Sequence, residues 1–124
     1  MCIRDRLDTG AKTTSANAEI IKEFKRDGKE YILYRLVNDE KKSEAFESEI
    51  TRYARIKLRG KEEFIRRPYV LMNIKIGKYT IVGEVNLTNR GQFNYPLLIG
   101  RNMLSDYFYV DSGSKNLLKT QCPK

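Results

Sequence analysis

The sequence predicts an all-β domain of barrel or sandwich-like form, on three observations: apolar residues recur at every second position in several short runs, glycines separate those runs, and little of the chain reads as helix. Over residues 19–37 two apolar-rich runs flank Asp27-Gly28, a dipeptide suited to the positive φ angles of a tight hairpin turn. A short helix ending at Gly28 is the competing assignment. Over residues 70–76 Val70, Met72, Ile74 and Ile76 alternate with other residues. Gly77-Lys78 then offers a turn, and Tyr79, Ile81, Val85 and Leu87 resume the pattern. Residues 53–66 alternate more loosely around Gly60, with Ile56, Leu58, Phe64 and Ile65 at inward or partner-facing positions, and predict a more exposed hairpin. Tyr95-Pro96-Leu97-Leu98-Ile99-Gly100 reads as a buried strand running into a glycine. Arg101-Asn102-Met103-Leu104 suits a short helical turn, and residues 107–110 suit a final strand. The opening Met1-Cys2-Ile3-Arg4-Asp5-Arg6 is short, charged and poorly suited to a strand.

At 124 residues the chain is the size of one compact domain, and with 40% hydrophobic and 32% charged residues it can build a packed core. No run approaches the roughly 20 apolar residues that span a bilayer, and the N-terminus lacks the apolar stretch of a secretory signal, so no membrane partner and a cytoplasmic location are expected. Cys2 and Cys122 stand at opposite ends of the chain and fit reduced thiols. The absence of histidine excludes Ser-His-Asp and Cys-His chemistry and the usual histidine-containing zinc sites within one chain. A net charge of +8 favours polyanionic partners and also occurs in ordinary soluble proteins.

Two motifs carry the chemistry: Leu7-Asp8-Thr9-Gly10-Ala11 near the start, and Leu97-Leu98-Ile99-Gly100-Arg101-Asn102-Met103-Leu104 near the end. Alone, an Asp-Thr-Gly triplet is as readily a turn whose aspartate caps its own backbone. In this order the two motifs resemble the retropepsin-like aspartic peptidases, and the resemblance implies a half-barrel with one short helix after Gly100. Leu7-Asp8-Thr9-Gly10-Ala11-Lys12-Thr13-Thr14-Ser15-Ala16, Arg67-Pro68, Leu87-Thr88-Asn89-Arg90 and Tyr95-Pro96-Leu97-Leu98-Ile99-Gly100-Arg101 are similar to one bacterial and archaeal subfamily. That subfamily carries the label ATP-dependent zinc protease and is associated with RimK-type glutamate ligases. No nucleotide-binding glycine loop or histidine ligand supports the label in these residues, so no cofactor and no metal are expected.

The resemblance implies that Asp8 is catalytic, with Thr9 holding a hydrogen-bond lattice across two copies and Gly10 allowing the tight loop. Leu98, Ile99, Gly100 and Arg101 are implied to support the loop from beneath, and Arg101 needs a partner such as Asp106 or Asp111. Because the chain holds one Asp-Thr-Gly triplet, the second carboxylate is expected from a second copy, and the partner is a homodimer. The candidate substrate-covering flap is the 56–64 segment, with Ala11, Arg59, Gly60 and Lys61 as substrate-binding residues; an exposed hairpin without a role in binding is the competing reading. Residues 1–6 are expected to be a non-native or truncated N-terminus, and residues 7–124 a single peptidase domain. The substrate is expected to be a peptide or protein, with acidic or glutamate-rich segments favoured by Lys57, Arg59, Lys61, Arg66 and Arg67 around the flap.

Two other readings stand beside this one. A basic β-barrel could bind nucleic acid with Arg52, Arg55, Lys57, Arg59 and Lys61 on phosphates and Tyr53 or Tyr69 stacking on bases. Glu44, Glu47, Glu49, Glu62 and Glu63 interrupt the basic run, which counts against it. A dimer of the same fold could also bind peptides without cleaving them.

Overall fold

The computed structural model describes residues 5–7, 10–38, 41–57, 60, 62–89, 96–104, 113 and 115. Within them the chain forms β1 (Asp5–Leu7), β2 (Thr14–Arg26), β3 (Lys29–Asn38), β4 (Lys41–Glu49), β5 (Arg52–Lys57), β6 (Phe64–Ile76), β7 (Tyr79–Thr88), β8 (Leu97–Ile99) and a single turn of helix, α1 (Arg101–Leu104).

Asp27 and Gly28 take φ of 51° and 79°, the two positive angles of a turn whose twist matches its flanking strands, and β2 and β3 pair antiparallel from Arg26↔Lys29 outward. The strand assignment therefore holds over the competing helix. Gly77, at φ 61°, closes β6 onto β7 through Ile76↔Tyr79, as the alternation predicts. The looser third hairpin is β5 with β6, paired from Arg52↔Tyr69 to Lys57↔Phe64. Phe64 is exposed and Ile65 half-buried; Leu58 and the side chain of Ile56 lie outside the described residues.

Two strands differ from the sequence reading. Asp5, Arg6 and Leu7 form β1 despite their charge, because parallel pairing with Leu97, Leu98 and Ile99 satisfies their backbone. β4 has no clear apolar alternation, yet it pairs with β3 over Tyr31↔Glu49 to Asn38↔Lys41. Its Phe46 packs at the core margin, 5.9 Å from the ring of Tyr34. The final strand expected over 107–110, and both cysteines, lie outside the described residues.

The sheet runs β1-β8-β2-β7-β6-β5, with β3 added to β2 and β4 to β3. β2 is the branch point: its start lies between β7, parallel through Thr14↔Val85 to Asn17↔Thr88, and β8, antiparallel through Ser15↔Leu98 and Ala16↔Leu97. From Ala18 onward it pairs with β3 instead. This fork folds the sheet over one core of Ile32, Tyr34, Val70, Ile81, Val85, Leu87, Ile99 and Met103, giving an all-β half-barrel with one short helix after Gly100.

Candidate active site

Asp8 and Thr9 lie outside the described residues, but the structure describes both of their flanks. On one side Leu7 is paired with Ile99, so the chain enters the Asp-Thr-Gly stretch from a strand anchored on β8. On the other side, Gly10 is an exposed turn residue and the next four residues are held by a backbone clamp. Arg101 N–H donates to Ala11 C=O at 2.8 Å, and Asn102 N–H donates to Lys12 C=O at 3.2 Å. The Thr14 hydroxyl accepts from Gly100 N–H at 3.0 Å and donates to Asn102 Oδ1 at 2.8 Å. Asn102 Nδ2 donates onward to Glu84 C=O at 2.9 Å, fixing the start of α1 to β7.

This clamp explains the glycine of the second motif. A Cβ on Gly100 would lie 2.4 Å from the carbonyl oxygen of Thr13 and 2.5 Å from its carbon, distances no side chain tolerates. Glycine thus allows the end of β8 to touch the segment that follows the Asp-Thr-Gly triplet.

A second polar cluster grips the same segment from β6 and β7. Asn86 Nδ2 donates to Thr14 C=O at 3.0 Å and lies 3.5 Å from Thr13 Oγ1, while its Oδ1 accepts from Ser15 Oγ at 2.9 Å. Tyr69 O–H donates to Thr13 Oγ1 at 3.4 Å. Asn86 and Tyr69 were not predicted as part of this region. Asn86 alternates with apolar Val85 and Leu87 and reads as an ordinary outward position; the neighbouring β2 strand buries it.

The supporting residues separate by face. Ile99 is fully buried together with Leu97, whereas Leu98 points to the opposite face and is half-buried. Gly100 is buried and Arg101 exposed; Asp106 and Asp111 lie outside the described residues, as do Arg59 and Lys61. Gly60, at φ 71°, stands between β5 and β6. Three residues before Asp8, half-buried Asp5 has its carboxyl raised above the usual aspartate range by burial, with a hydrogen bond to its own backbone pulling the other way.

The rings that a nucleic-acid interface would need are already occupied. Tyr69 is buried with the Arg52 guanidinium 3.9 Å from its ring centre, and Arg52 is paired with Glu84 at 3.1 Å. Tyr53 carries the Arg66 guanidinium at 4.2 Å. Base stacking at either ring would require displacing the chain's own arginine.

A half-barrel in which β8 and α1 clamp the segment after an Asp-Thr-Gly triplet fits the retropepsin-like class. The profile of the RimB-like family, described as retropepsin-like aspartic endopeptidase RimB, matches residues 1–121, and the chain belongs to that family. A crystal structure of a Legionella pneumophila protein of unknown function (DUF785) is similar at 38% identity and a TM-score of 0.64, over 80% of this chain and 70% of that one. Among curated relatives, a probable alpha-L-glutamate ligase of Shewanella halifaxensis is 32% identical over 96% of this chain and 26% of its own length. Its counterpart from Shewanella pealeana is 33% identical over 88% of this chain and 24% of its own length. The chain thus spans about a quarter of the length of the curated relatives it matches.

Proposed function

We propose that this chain is one half of an aspartic-type endopeptidase, in which the Asp8 carboxyls of two copies activate a water against a peptide bond. The observation that carries the reading is the Asp8-Thr9-Gly10 triplet, flanked by β1 and by the clamp of Gly100, Arg101 and Asn102 on residues 11–14, in a chain of the retropepsin-like family. Two carboxyls held about 3 Å apart cannot both ionise, so they share one proton. The ionised member takes a proton from the water as its oxygen attacks the carbonyl carbon. The protonated member donates to the developing oxyanion. Proton delivery to the amide nitrogen then accompanies C–N cleavage, releasing an amine and a carboxylate.

Acidic, extended peptides are the proposed substrate class. Between Arg52 and Arg67 the chain places seven cations against the two carboxylates Glu62 and Glu63. Such a field attracts polyanions, most strongly at low salt. The relatives named as glutamate ligases point toward the same chemistry.

The test is cleavage of a labelled glutamate-rich peptide by wild type and Asp8→Asn. The expected result is a loss of at least about 10³-fold in kcat/KM, with circular dichroism and sedimentation unchanged. Wild-type rates in Asp8→Asn would remove the assignment.

A further inference from the structure

The β5–β6 hairpin places Arg55 directly opposite Arg66 on one face of the sheet. Like charges in that position repel, and a fold tolerates them when each finds another partner. Here the partners are aromatic: the Arg55 guanidinium lies 4.7 Å from the ring centre of Phe64, and that of Arg66 lies 4.2 Å from the ring centre of Tyr53. Tyr53, Arg55, Phe64 and Arg66 share that face, because Tyr53↔Pro68, Arg55↔Arg66 and Lys57↔Phe64 alternate with the pairs on the other side.

Arg52 supplies an internal contrast. On the opposite face it also stacks on a tyrosine, but its charge is met by Glu84. Among the described residues Arg55 and Arg66 are in no ion pair. Glu23 and Glu30 act on the Tyr53 hydroxyl, whose pKa is raised first by burial and then by those carboxylates, with Arg66 pulling the other way. Both arginines are exposed. A guanidinium laid on a ring is held in place with N–H donors still available along its edge, the arrangement suited to bidentate carboxylate recognition.

We infer that Arg55 and Arg66, each held on an aromatic ring of the β5–β6 hairpin, form a binding site for the carboxylates of an acidic, extended peptide. Such a peptide presents same-face side chains about every 7 Å, so acidic residues two or four positions apart reach both guanidiniums. β5 is also the last strand of the sheet among the described residues, so its outer edge offers backbone groups for an extended segment to pair with. Nucleic acid fits less well, since a base stacking on the arginine-covered face of either ring would have to displace a guanidinium.

The inference rests on the acidic-substrate reading above and is tested apart from turnover. A fluorescein-labelled glutamate-rich peptide, a matched glutamine-rich peptide and a single-stranded oligonucleotide of equal length are titrated at low salt into full-length Asp8→Asn protein. The same titrations use that protein carrying Arg55→Gln/Arg66→Gln, Arg55→Lys/Arg66→Lys, or Lys75→Gln/Lys78→Gln, the last removing two charges at the β6–β7 turn. The expected result is a loss of about tenfold in affinity for the acidic peptide in the Gln pair, a smaller loss in the Lys pair, and less than about a twofold change at the β6–β7 turn. Equal losses from both Gln pairs would reduce the effect to net charge and overturn the site. A parallel loss of oligonucleotide binding would reassign it to nucleic acid. Arginine-dependent peptide binding by a protein whose wild type cleaves nothing would retain the site and discard the peptidase.

Discussion

Thr14 ties the segment after the Asp-Thr-Gly triplet to the second motif, because its one hydroxyl accepts from Gly100 N–H and donates to Asn102 Oδ1 while fully buried. Thr14→Val keeps the shape and strands both partners, so it is expected to cost about 1–3 kcal/mol in a urea melt; Thr14→Ser retains the bonds and most of the stability. Gly100→Ala drives a methyl into the Thr13 carbonyl, and an equal or larger loss is expected because backbone, not a flexible side chain, must move. Asp5 acts in the other direction. Burial raises its folded pKa, so the folded state binds more protons between the ordinary aspartate value and the raised one. Stability therefore falls as pH rises through that window and stays lowered above it. Asp5→Asn is expected to raise the melting temperature at pH 7 by a few degrees at most, with the gain vanishing below the ordinary aspartate pKa. A stabilisation that persists there would show that the carboxyl's charge is not its origin.

Among the elements, the hairpins were legible because turn chemistry and alternation agree at the same residues. Asp27-Gly28 joins β2 to β3 and Gly77-Lys78 joins β6 to β7, with Asp27, Gly28 and Gly77 at φ angles that L side chains rarely adopt. Gly28→Ala meets no atom within 4 Å, so its expected cost of about 1 kcal/mol is purely conformational. Asp27→Asn, which tolerates the same angle, is expected to leave the melt unchanged. β1 and β4 escaped because their signal is not in their own residues. The three residues of β1 are fixed by the parallel neighbour β8, and β4 contributes mainly Phe46 to the packed interior while its lysines and glutamates stay in water. Tertiary pairing decides such strands, and propensity does not.

At the scale of the whole molecule, the clamp was readable as two motifs because both halves are contiguous in sequence, residues 7–16 and 95–104. The grip of Asn86 and Tyr69 on Thr13 was not, since it joins strands more than fifty residues away and neither residue type is distinctive where it stands. One Asp-Thr-Gly triplet follows β1 in the sequence, and the proposed chemistry needs two carboxyls within hydrogen-bond reach. A second copy is the simplest source, and mass action then ties activity to association. Below the dimer dissociation constant the dimer concentration falls with the square of total chain, so specific activity is expected to drop about tenfold for each tenfold dilution and to level off above it. Mixing wild type with excess Asp8→Asn sharpens the test, because a mixed dimer keeps one carboxyl. At a ninefold excess of the variant, random pairing leaves about a tenth of the wild-type chains in intact dimers, and activity per wild-type chain should fall to about that fraction. Activity that is independent of both dilution and added variant would mean that one chain suffices, and the paired-aspartate mechanism would have to be abandoned.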